Sequence, residues 1–205
     1  MPSPHEILAG LEAIANGWRP LAIVWHLALA AGLIALGLGW RPGRRLAGVL
    51  IAGPLASVSG LAWLTGNPFN GTVFAVIAAA LVAVALRLPR DAVRIGTPRL
   101  LIPGIGLTAF GWAYPHFLQT NSWITYLYAA PLGLVPCPTL CAATGLALVL
   151  RGLGSRGWSL ILAASGLLYG LVGWLRLGVA IDAVLLVGAV TLAAAVLRTG
   201  RKRAQ

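Results

Sequence analysis

The sequence predicts an all-α integral membrane protein: about seven transmembrane helices in one bundle, preceded by a short amphipathic helix. The N-terminus is expected outside, the C-terminus in the cytoplasm, and the fifth span broken by prolines. Three observations lead there. Of 205 residues, 59% are hydrophobic and only 9% charged, which excludes an ordinary water-soluble domain. Several apolar runs reach the roughly 20 residues needed to cross ~30 Å of hydrocarbon. The basic residues, which give a net charge of +11, gather at the ends of those runs, where they orient a membrane protein. That placement argues against a nucleic-acid partner.

Residues 1–19 read as an interfacial element. Ser3 can cap a helix, Pro4 suits its first position, and Glu6 completes a capping box. Ile7, Leu8, Leu11 and Ile14 share one stripe, and Asn16-Gly17 ends it. Such a helix lies in the interface plane or packs as a cap over the bundle. The leading residues hold Glu6 and Glu12 but no basic region ahead of a hydrophobic core, so no cleavable signal is expected.

Residues 20–197 form the bundle. The first span runs from about Pro20 to Trp40, the second from Leu46 to Gly66, and the third from Gly71 to Leu88. The fourth starts near Leu100 and ends at Tyr114-Pro115-His116. The fifth, the most irregular, carries the chain to Leu150 through Pro131, Pro136 and Pro138, so residues 131–141 are expected to leave helical geometry. The sixth begins near Trp158 and turns at Trp174-Leu175-Arg176. The seventh covers about Gly178 to Leu197, and residues 198–205 form a basic cytoplasmic tail.

Thirteen of the fifteen basic residues fall on one side of this arrangement: Arg41, Arg44, Arg45, Arg87, Arg90, Arg94, Arg99, Arg151, Arg156, Arg198, Arg201, Lys202 and Arg203. Only Arg19 and Arg176 fall on the other, which sets the orientation by the positive-inside rule. Trp18, Trp40, Trp63, Trp123, Trp158 and Trp174 fall near span ends, as an aromatic belt requires.

Few side chains within the spans can do chemistry. Asp182 lies ~6 Å below the outer boundary, while His26 and Cys137 lie ~9 Å below it. His116, Tyr114, Asn67, Asn70 and Asn121 border the same face. An ionisable group within a span is costly unless paired, which makes Asp182 the first candidate. The pathway set is Asp182, Tyr114, Pro136, Cys137, Pro138 and Thr139. If a helix restarts at Pro136, Cys137 falls in its first turn, where the helix dipole favours a thiolate. Cys137 and Cys141 then face the same way, and with His26 and His116 they form a candidate set for a soft metal ion. Plain packing explains both cysteines as well. His26 and His116 could also ligate a haem. With Lys202 as the sole lysine, no retinal Schiff base can form in the bundle. No catalytic residues are expected, and no phosphate loop or hydrolase motif is present.

Asn16-Gly17-Trp18-Arg19-Pro20, Tyr114-Pro115, Gly133-Leu134-Val135-Pro136-Cys137-Pro138-Thr139, Gly145-Leu146 and the late Asp182 together resemble an uncharacterised bacterial family of small multi-pass membrane proteins, a domain of unknown function. The Pro-Cys-Pro-Thr motif is the specific part; the tyrosine usual at the opening is absent, and Cys141 lies outside the motif. The resemblance implies an architecture and no established activity.

The expected function is a small membrane transporter or binding protein for an ion or small solute, with its site in the outer third at the broken fifth span. The alternatives are a non-catalytic subunit or scaffold in a larger membrane complex, and a thiol-redox or haem-binding subunit. Expected partners are the lipid bilayer and a homo-oligomer or larger complex, in a bacterial cytoplasmic membrane.

Overall fold

A computed structural model describes residues 3–201. These residues are all-helical, with no strand; one isolated bridge pairs Gly43 with Ala92. Five stretches are long and apolar enough to cross a membrane: Arg19–Gly37, Arg44–Leu64, Pro68–Leu86, Arg156–Arg176 and Ala180–Arg198. They correspond to helices α2 (Arg19–Gly37), α3 (Arg44–Leu64), α4 (Pro68–Leu86), α8 (Arg156–Leu171) and α9 (Ala183–Arg201). The other elements are α1 (Pro4–Gly17), α5 (Pro98–Trp112), α6 (Thr125–Ala129) and α7 (Pro136–Val149).

This count differs from the seven spans expected. The fourth and fifth segments become the 15-residue α5 and the 14-residue α7, about 22 and 21 Å long at 1.5 Å per residue. The Tyr114-Pro115 step follows soon after α5 ends, because the residue before a proline is pushed out of helical geometry. In the fifth segment the irregular stretch is shorter than expected. Residues 130–135 are non-helical, but 136–141 are regular helix. Pro136 and Pro138 fall in the first turn of α7, where backbone N–H groups have no intrahelical acceptor, so a missing donor costs nothing there. The sixth and seventh segments are separate elements: α8 runs into a π-helical turn at Val172–Arg176, and the chain reverses at Gly178, with φ +72°.

α7 is the axis of the fold. All its residues but Leu146 are buried, and it packs against α3, α5, α8 and α9. Small residues allow this. A Cβ on Gly104 would come within 2.9 Å of the Gly145 carbonyl, and one on Gly111 within 2.5 Å of the Ala142 nitrogen. α5 and α7 thus approach backbone to backbone, as small-residue seams permit in membrane helices. In the α8–α9 pair a Cβ on Gly170 would come within 3.0 Å of the Leu186 nitrogen, and one on Gly166 within 2.9 Å of the Ala189 side chain.

α1 has the expected capping box: Glu6 N–H donates to Ser3 Oγ, and Ser3 N–H to Glu6 Oε2 at 2.7 Å. These Ser3 bonds hold the Glu6 carboxyl below its ordinary pKa. The stripe of Ile7, Leu8, Leu11 and Ile14 packs on the core, and Asn16 Nδ2 donates to the Phe117 carbonyl at 2.9 Å. α1 therefore closes over the loop after α5. α2 stands apart, with only 11% of its apolar window buried. A groove of about 180 Å3 runs between it and α3 and α7. α9 continues to Arg201, so the start of the expected tail 198–205 is helical and residues 202–205 lie outside the described residues.

The turn ahead of α7 rests on Gly133, at φ +72°, where a Cβ would overlap the Trp25 indole. Gly133→Ala should lose about 1–2 kcal/mol to left-handed backbone and about 1–3 kcal/mol more to overpacking. Gly60→Ala, at an open helical position, should be neutral or stabilising by up to about 1 kcal/mol. Thermal unfolding in detergent checks both.

Candidate functional site

Three chain segments meet where α7 begins. After α5 ends at Trp112, Ala113 leads to Tyr114, whose side chain is fully buried. Cys137 is the second residue of α7. Beyond Gly178 the chain folds back. The Val179 N–H donates to the Gly173 carbonyl at 2.9 Å and the Asp182 N–H to Val179 at 3.0 Å, forming a short 3-10 turn that delivers Asp182 to the start of α9.

Asp182 is 1% exposed and points inward. Tyr114 Oη donates to its Oδ1 at 2.5 Å, and Cys137 Sγ donates to its Oδ2 at 3.1 Å. Gly173 makes room, since a Cβ there would collide with the carboxylate. The carboxylate also lies where α7 and α9 both start, so the positive ends of two helix dipoles favour its negative charge. The His116 ring lies edge-on to Tyr114, with centroids 6.5 Å apart. The Asp182 carboxylate can hold a proton or a small cation, and its two neutral donors can release their bonds when one arrives.

Thr139 braces the irregular turn beside this cluster. Its hydroxyl accepts from the Gly133 N–H at 2.9 Å and donates to the Val135 carbonyl at 2.7 Å. Broken backbone in an apolar bundle needs such partners. Pro136 and Pro138 set the helix start and contribute no polar atom of their own beyond the carbonyl. Below the cluster, Tyr169 Oη donates to Asn70 Oδ1 at 2.9 Å, both buried, and Tyr169 lies edge-on to Phe74.

The four residues of the metal set are not brought together. Among the described residues, no group of three or more His, Cys, Asp or Glu side chains is placed to hold a metal ion. His26 is buried with Nδ1 2.8 Å from the Ala22 carbonyl and Nε2 2.9 Å from the Trp112 carbonyl. Both ring nitrogens face carbonyl oxygens, so neither is open to a metal or a haem iron. His116 packs its ring on Phe117 at 4.3 Å. Cys141 is fully buried where Gly111 of α5 presses on α7, and no disulfide joins it to Cys137. Cys137 is a donor to a carboxylate in this geometry, a role a thiolate cannot fill. This reverses the thiolate reading from helix position alone.

Sequence reasoning missed Gly173 and the Tyr169–Asn70 pair. The signal for Tyr169 was available, as a lone hydroxyl-bearing aromatic on the inner face of the sixth segment. Gly173 carried none among 26 glycines. No family model, curated protein or solved structure matches the chain.

Asp182→Asn keeps an oxygen for Tyr114 and should preserve the fold. Asp182→Leu strands the Tyr114 hydroxyl in a buried site, at about 1–3 kcal/mol. Thermal unfolding in detergent should separate the two variants, and equal losses would contradict the assigned bonds.

Proposed function

We propose that this chain is a small membrane transporter or binding protein for an ion or small solute, acting at the Asp182–Tyr114–Cys137 cluster. The observation that carries this reading is Asp182, a carboxylate 1% exposed in an apolar bundle, whose oxygens meet a phenol and a thiol. Burying a carboxylate is costly, and a bundle with a purely structural need there would use an apolar side chain. A proton or small cation entering between the oxygens relieves that cost. When it leaves, the two hydrogen bonds and two helix N-termini hold the charge. The non-helical residues 130–135 lead directly into Pro136 and Cys137, and broken membrane helices use such stretches to coordinate ions.

In this reading the chain crosses seven times. The two short helices complete their crossings through the irregular stretches that flank them, inside the protein. The N-terminus lies outside and the C-terminus in the cytoplasm of a bacterial cell, with the Pro136-Cys137-Pro138-Thr139 resemblance as further support. The gathering of Arg44, Arg94, Arg151 and Arg156 at the far end of α7 from Asp182 agrees with it. A C-terminal reporter should be active in the cytoplasmic form only, and a periplasm-active fusion would overturn the orientation.

The apolar and little-buried α2 favours a second reading, a subunit that docks this helix on a larger membrane complex or on a second copy. Reconstitution decides between the two. Vesicles holding the full chain and an internal pH dye, under a potassium diffusion potential, should show a proton or cation flux. In Asp182→Asn that flux should fall to the level of protein-free vesicles. A wild-type chain no different from empty vesicles, or an unaffected variant, would leave the subunit reading in place.

A further inference from the structure

The opposite end of the bundle holds a separate feature. The start of α3, the loop before α5, the turn after α7 and the start of α8 enclose a cleft of about 740 Å3, within the ~300–1,000 Å3 of small-ligand sites. Its rim carries four guanidinium groups, from Arg44, Arg94, Arg151 and Arg156, against the one carboxylate of Asp91. Its floor is apolar, made by Leu100, Leu148 and Leu192.

The cleft is built around Arg44. Its Nε donates to the Leu153 carbonyl at 2.6 Å, and its Nη1 pairs with Asp91 at 3.2 Å. Residues Arg151, Gly152, Leu153 and Gly154 all have left-handed backbone, with φ between 53° and 61°. That turn wraps the guanidinium closely, since a Cβ on Gly154 would strike Arg44 and one on Gly152 would strike Ser159. Asp91 is thus engaged by Arg44. Among the described residues, no side-chain hydrogen bond or ion pair engages Arg94, Arg151 or Arg156. Three uncompensated cations facing one recess repel each other, and the recess becomes favourable when an anion fills it.

We propose that this cleft binds the phosphate group of an anionic ligand. Guanidinium forks match phosphate oxygens in shape and charge. An apolar floor beneath them suits a phosphate that carries a hydrocarbon portion, as in an anionic phospholipid, over a free ion. The ligand is held at the basic end, about the length of α7 away from Asp182, and the inference is independent of the flux reading.

The test uses the full chain in neutral maltoside micelles, where no lipid surface charge is present. Phosphatidylglycerol, phosphatidylcholine and inorganic phosphate are titrated separately, and the thermal unfolding midpoint is followed. Phosphatidylglycerol should raise the midpoint saturably and phosphatidylcholine should not. Arg151→Gln/Arg156→Gln should weaken the half-saturating concentration by about tenfold or more, a loss of about 1.4 kcal/mol. Arg87→Gln/Arg90→Gln removes the same charge from the same end outside the cleft, and should shift it by less than about twofold. Saturation by inorganic phosphate at equal concentration would assign the site to the free anion. Equal weakening in both double variants would mean general attraction only and would overturn the site, as would the absence of any saturable shift. Neither Gln substitution removes a bond that the fold uses, so unfolding midpoints without lipid should stay level.

Discussion

A carboxylate removed from water sets the terms for one end of this bundle. Asp182 cannot lie at 1% exposure without hydrogen bonds, and the two it has come from chain segments far apart in sequence, at Tyr114 and Cys137. The position of each is then fixed by its own local structure. Tyr114 follows the end of α5, Cys137 opens α7, and the 3-10 turn after Gly178 brings in Asp182. Gly173 completes the arrangement by being absent as a side chain. Moving any one of these elements strands a polar group in an apolar interior, so the cluster ties α5, α7 and α9 to one register.

The same accounting explains the broken backbone at residues 130–135. Hydrocarbon offers no hydrogen bonds, so a non-helical stretch there survives only when protein closes around it. Here Thr139 reaches back from the first turn of α7 to serve both a donor and an acceptor of that stretch. Trp25 of α2 packs on Gly133, and its own Nε1 donates to Ser57 of α3 at 3.1 Å. Glycine seams with α5 bring neighbouring backbones close enough to bury all of α7 but Leu146.

The two ends of α7 differ in charge character. Its start meets a lone carboxylate with neutral donors, and its end meets a ring of arginines. Ordinary membrane proteins carry basic residues at cytoplasmic helix ends simply to orient themselves. The left-handed turn at Arg151–Gly154 adds something that orientation alone does not require, a recess in which several of those arginines face the same space.

Much of the architecture was legible in the sequence, because hydrophobic length, breaker residues and charge placement act locally. The capping box at Ser3 and Glu6 and the positions of α2, α3, α4, α8 and α9 follow from the residues within each segment, whereas the regular helix over residues 136–141 did not. Asp182 stood out as well, because one carboxylate in an apolar run is costly wherever the run folds. What only the tertiary structure decided is which groups meet. His26 could be read as a ligand until both its nitrogens were found facing carbonyls, one of them from a helix 86 positions away. Cys137 could be read as a thiolate until a carboxylate appeared beside it. The burial of α7 depended on its neighbours, and the arginine cleft on a left-handed turn packed closely against Arg44 and Ser159. Local sequence sets what each segment can form; the partner of a buried polar atom comes from segments whose proximity exists only once the chain has folded.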